Sequence, residues 1–134
     1  MNIKSNPSRR AGFTLVEIMI VVAIIALLAS IAVPNFLRAR KRSQATRIME
    51  DLRQLDGALD MYAIENNKST GANPTFTDLK AYIKTGTVLY ATGADIFGDS
   101  YGPFTVDSVL AVPTAAYNNL SDVAPVAFWS PYYW

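Results

Sequence analysis

Arg9-Arg10-Ala11-Gly12-Phe13-Thr14-Leu15-Val16-Glu17 opens an apolar run that lasts to Leu37. From Phe13 to Leu37 the only charged side chain is Glu17. The run exceeds the roughly 18 residues at which an apolar segment reads as membrane-spanning. As a helix rising 1.5 Å per residue it reaches about 37 Å, enough to cross a hydrocarbon core of about 30 Å with some tilt. A lone carboxylate near the start of such a run is costly, about 2.5–3.5 kcal/mol at a bilayer centre and less towards the edge. A charge kept there calls for a partner.

Working outward, residues 1–12 are polar and basic, with Lys4, Arg9 and Arg10. An ordinary secretory signal also has a basic start, but its apolar core is about 7–15 residues and ends in a small-residue cleavage site. Here the run is longer, carries a carboxylate and ends at Pro34 and a basic cluster, Arg38, Arg40, Lys41 and Arg42. With cations on both sides of the span, the positive-inside rule alone does not place the N-terminus in the cytoplasm. The second cluster suits anionic headgroups, a seam between subunits or plain solvation. Ala23, Ala26, Ala29, Ser30 and Ala32 allow close helix approach. Pro34 lacks an N–H and crowds the preceding turn, which predicts a kink or a local opening.

Residues 38–66 predict an amphipathic helix. Ile48, Leu52, Leu55, Leu59 and Tyr62 recur at spacings of four and three, one helical face. Arg47 and Asp51 form an i,i+4 pair on the outside. Gly57 costs up to about 1 kcal/mol against alanine within a helix. Glu65 to Pro74 is a polar loop rich in breakers. Thr77 is a candidate cap for a short helix from Asp78 to Lys84, with Phe76, Leu79, Tyr82 and Ile83 turned inward. From Gly86 the pattern changes. Thr87 to Thr92, Phe104 to Val106 and Val109 to Val112 read as strands, joined by a turn-rich stretch from Asp95 to Pro103.

The chain is 134 residues with net charge +1, no Cys and no His. It is one small domain plus an anchor. A nucleic-acid binder would be more basic. Without Cys there is no disulfide, thiol nucleophile or thiolate metal site. Without His the commonest general base and zinc ligand are missing. No catalytic constellation is recognisable, and the expectation is a protein that is not an enzyme and has no cofactor. Asp95, Asp99 and Asp107 can offer oxygens to calcium, but no EF-hand spacing is present and turn-forming aspartate is the plainer reading. The aromatic tail, Phe128, Trp129, Tyr132, Tyr133 and Trp134, either folds back to seal the head or forms an exposed contact patch.

Gly12-Phe13-Thr14-Leu15-Val16-Glu17, after a short basic leader, resembles the processing signature of type IV prepilins and of type II secretion pseudopilins. The resemblance implies cleavage between Gly12 and Phe13 by a prepilin peptidase on the cytoplasmic side, then N-methylation of Phe13. Gly12 suits this because a residue without Cβ lets a protease approach the backbone closely. Cleavage removes the leader, keeps the anchor and, by removing Lys4, Arg9 and Arg10, takes the side-chain charge from +1 to −2. It also implies that Glu17 meets the new amine of a neighbouring subunit, where opposite charges in low dielectric attract strongly. Thr14 can assist by hydrogen bonding, though a helix threonine ordinarily bonds its own backbone.

The implied fold is α+β and pilin-like. A long N-terminal helix, membrane-spanning in its first half and amphipathic in its second, packs on a small antiparallel β-sheet head. The expected division is 1–12 leader, 13–37 transmembrane and assembly helix, 38–66 amphipathic helix, 67–134 head. The implied function is a structural subunit of a type II secretion pseudopilus or a type IV pilus. Its partners would be other pilin-like subunits, the peptidase, an inner-membrane assembly platform and lipid, with no nucleic acid. It would cross the bacterial inner membrane once, with the head in the periplasm and the filament in the periplasm or outside the cell. Asp95, Phe97, Gly98 and Tyr101 resemble an Asp–x–Trp–Gly–x–x–Tyr stretch of the major pseudopilins, with Phe97 in place of Trp. The alternative is a membrane-anchored periplasmic binding module that never polymerises.

Overall fold

The computed structural model describes Met1 and residues 11–133. The leader cations Lys4, Arg9 and Arg10, and the terminal Trp134, lie outside the described residues. The chain divides into two compact units, Met1–Leu37 and Arg38–Trp134.

The first unit holds the start of helix α1, Leu15–Glu65. Its side chains from Phe13 to Leu37 are all exposed. Leu15, Ile18, Val22, Ile25, Leu28 and Ile31 are each at least half exposed. By length and composition this helix is long and apolar enough to cross a membrane. Helical structure continues through Pro34, so the predicted local opening is not found. The Ser30 hydroxyl donates to the Leu27 carbonyl at 2.6 Å, the usual way a helix accommodates serine among apolar neighbours.

The second unit is built on the later part of α1. Ala45, Ile48, Met49, Leu52, Leu55, Ala58 and Leu59 form one buried stripe, at the spacing the sequence predicts. Tyr62 packs half-buried at its end. Over this stripe fold α2 (Phe76–Leu79), a 3₁₀ turn (Lys80–Tyr82), α3 (Val88–Thr92), α4 (Thr114–Leu120) and a second 3₁₀ turn (Val126–Trp129). Leu79, Ile83, Leu89, Leu110, Ala116, Leu120 and Trp129 are among the residues that pack into the core with it. Each fully buried leucine contributes about 1.5–3 kcal/mol of burial.

No β-strand is present among the described residues, which corrects the expected antiparallel sheet. At 88–92 the flanking residues decide the outcome. The Thr87 hydroxyl accepts the Tyr90 N–H at 3.1 Å, and Gly93 closes the turn at φ 64°. An N-cap threonine and a left-handed C-cap glycine make Val88–Thr92 a helical turn despite its β-branched start. Gly93 also lies under Phe76, whose ring atoms would stand 2.8 Å from an added Cβ. Residues 104–106 form no strand: their backbone pairing with the distant loop at 71–72 is confined to Val106, with no ladder. Val106 donates to Ala72 at 2.9 Å, and Gly71 donates to Val106 at 3.1 Å. At 109–112 the Val112 N–H reaches the Tyr132 carbonyl at 2.9 Å, again without a ladder. Pro103 and Pro113 bracket these segments and cannot donate, which limits any ladder there.

The helix that follows the polar loop starts two residues earlier than predicted. Thr75, not Thr77, precedes it, and its N–H and hydroxyl both donate to the Asp78 carboxylate, at 2.8 and 2.7 Å. Those two bonds hold the Asp78 carboxyl below its ordinary range.

In place of a sheet, α1 presents carboxylates to tyrosine hydroxyls. Tyr101 donates to Asp51 at 3.1 Å, Tyr132 to Asp56 at 3.3 Å and Tyr82 to Glu65 at 2.7 Å. Asp51 is therefore turned to Tyr101 rather than standing free on the outside; Arg47 still acts on it through its charge. The tail folds back, with Trp129 fully buried and its indole N–H on the Ala124 carbonyl at 3.1 Å. Among the described residues the one salt bridge joins Lys41 of the basic cluster to Asp122 at 2.9 Å.

Candidate functional site

The stretch from Ala11 to Glu17 is exposed. Ala11 to Thr14 lie ahead of α1, and nothing stands within 4 Å of a Cβ added at Gly12. Phe13 is 86% exposed. A peptidase meeting this segment finds an accessible, non-helical backbone, which is the state proteolysis needs.

Thr14 and Glu17 start α1 together. The Thr14 N–H donates to Glu17 Oε2 at 2.9 Å, and the Glu17 N–H donates to the Thr14 hydroxyl at 3.2 Å. This is a reciprocal capping box, Thr at the N-cap and Glu three residues on. It supplies partners for two of the backbone N–H groups that a helix start leaves orphaned. In a membrane each orphan costs several kcal/mol, so the box also lowers the cost of starting a helix there. The carboxylate sits at the positive end of the helix dipole, a further favourable term. Glu17 Oε1 has no partner among the described residues. The spacing Thr-x-x-Glu before an apolar run is a legible signal for this cap, one that a reading of Glu17 through its charge alone passes over.

The second group of candidate residues turns out to organise the head. Asp95 is buried, and its Oδ1 accepts the N–H groups of Phe97 at 2.8 Å and Asp99 at 3.0 Å. Its own N–H donates to the Asp99 carbonyl at 2.8 Å. Gly98 takes φ 91°, which a side chain would resist. Tyr101, buried, carries the stretch to Asp51; its hydroxyl pKa is pushed up by burial and by the neighbouring Asp51 charge. The Asp–x–Phe–Gly–x–x–Tyr residues thus form one turn pinned to α1. Asp107 stands elsewhere, at φ 61° with the Thr70 hydroxyl on its carboxylate. Among the described residues no three acidic side chains come together as a metal site.

Residues 7–33 match the profile of the prokaryotic N-terminal methylation motif. The chain is 43% identical over 60 residues to the type II secretion system core protein G of Klebsiella pneumoniae, covering 45% of this chain and 43% of that protein. It is 42% identical over 84 residues to the type IV wide pilus major component PilA4 of Thermus thermophilus, covering 52% of this chain and 64% of that protein. It is 32% identical over 102 residues to the core protein G of Escherichia coli K12, covering 69% of this chain and 70% of that protein. The chain spans less than half the length of the Klebsiella relative and of comparable core G proteins. No solved structure matches it.

Proposed function

We propose, from the premise that this chain belongs to the family of type IV pilins and type II secretion pseudopilins, that it is a structural subunit that polymerises through α1 into a filament rooted in the bacterial inner membrane. The observation that carries this reading is an exposed apolar helix with Glu17 at its head, immediately after Gly12-Phe13. Residues 1–12 act as the leader, 13–37 as anchor and assembly helix, and the remainder as a periplasmic head. Prepilin peptidase hydrolyses the Gly12–Phe13 amide, leaving a carboxylate on Gly12 and an amine on Phe13, and the amine is then methylated. Water and an electrophilic methyl donor balance the two steps. Before assembly the apolar face is covered by lipid; in the filament it is covered by neighbouring copies, so the transfer between them is close to balanced. A charge pair at the helix heads then selects one axial step, because an unpaired Glu17 or an unpaired amine in that setting is costly. An inner-membrane assembly platform supplies the subunits.

Between the two filament types we favour the pseudopilus, on the core G relatives and on the Asp95-to-Tyr101 turn. The Thermus relative keeps a surface pilus as the second reading. An anchored module that never polymerises is separated from both by Glu17→Ala. Cross-linking of neighbouring subunits in membranes is expected to fall at least tenfold in that variant, with unchanged membrane content. Normal cross-linking of Glu17→Ala would leave the anchored module as the better reading.

A further inference from the structure

We propose that Thr14 is a positioning residue for the Glu17 carboxylate: it fixes the side chain in the capping box so that Oε2 serves its own helix and Oε1 is presented to the incoming amine. This rests on the assembly reading above. A glutamate has three rotatable side-chain bonds, and a free one must be ordered at the moment it pairs. In this chain that ordering is done beforehand. The Thr14 N–H holds Oε2 at 2.9 Å, and the Thr14 hydroxyl holds the Glu17 N–H at 3.2 Å. The two bonds close one ring, so neither Thr14 nor Glu17 moves without breaking it. A carboxylate oxygen accepts more than one hydrogen bond, and the unshared Oε1 keeps its lone pairs for a cation. The cap and the charge pair therefore use different oxygens of one group and do not compete. Interactions made by a group held ready gain affinity because less freedom is lost on binding.

The box separates two properties of Glu17 that a single deletion confuses. Glutamine at this position also completes a capping box, but carries no charge. The full-length chain, processed and placed in lipid nanodiscs, is compared by amide hydrogen exchange with Thr14→Val, Thr14→Ser and Glu17→Gln, and the same four are tested for subunit cross-linking in cells. In Thr14→Val the residue-17 amide is expected to exchange about tenfold faster, and cross-linking to fall roughly threefold to tenfold, the range that loss of an N-cap side chain corresponds to. Thr14→Ser restores both. Glu17→Gln keeps the residue-14 amide protected yet does not assemble. Unchanged exchange at residue 17 in Thr14→Val overturns the positioning role, as does normal cross-linking when exchange has risen. Wild-type assembly by Glu17→Gln instead sinks the charge-pairing reading, whatever the exchange rates show.

Discussion

Asp51 and Asp56 show how single side chains on α1 hold a head with no sheet among the described residues. Both carboxyls have pKa values raised first by burial; the tyrosine hydroxyls they accept pull the other way and do not fully offset it. A raised value means the folded chain binds the proton more tightly than the unfolded chain. Their stabilising contribution is complete below the ordinary aspartate value and is lost as pH rises through the raised one. Asp51→Asn with Asp56→Asn should therefore remove part of the fall in melting temperature seen as pH climbs from about 4 towards neutral. An unaltered pH profile would mean these groups are as solvated folded as unfolded. Asp122 behaves oppositely: the Lys41 hydrogen bond lowers its pKa, so its contribution is present above the ordinary range and lost as pH drops through the lowered value. Tyr101→Phe should cost about 1–2 kcal/mol, since it strips a half-buried carboxylate of its donor. A melting temperature within error of the wild type would count against the pinning role.

Among the elements, α1 is readable from sequence because its two signals are long. The all-apolar run and the 3–4 repeat through Ile48, Leu52, Leu55 and Leu59 each extend over several turns. The short segments are not, because a handful of residues is decided by its ends. Val88-Leu89-Tyr90 has strand-forming composition, yet the Thr87 cap and Gly93 make it α3. Thr87→Val should cost about 1 kcal/mol in thermal unfolding, whereas a strand at this position would tolerate or welcome valine. Gly57 offers the converse test. Nothing lies within 4 Å of an added Cβ there, so Gly57→Ala should stabilise by about 0.5–1 kcal/mol. A loss of stability would mean that the glycine is needed for a local geometry.

At the scale of the whole molecule, the candidate site is legible in part. Gly12, Phe13 and Glu17 stand out because a charge in an apolar run has few ordinary explanations. The cap that joins Thr14 to Glu17 is less visible, since Thr-x-x-Glu is short and the charge points first towards a second subunit. The three aspartates stand out for their oxygens. Asp95, with one oxygen on two backbone N–H groups, is instead the keystone of a turn. The head's expected sheet rests on composition and resemblance, and neither carries the cap and glycine geometry that sets the local fold. Common to sequence and structure is a chain that keeps a greasy helix; the proposal adds that it loses its basic prefix and uses the new terminus to join its neighbours.

Intact-mass spectrometry of the protein from its host's membranes and from filaments sheared off the same cells addresses this directly. Both fractions should contain a chain that begins at Phe13 and carries one added methyl group. A chain that retains Met1 and occurs only as unassociated copies in the membrane would contradict it.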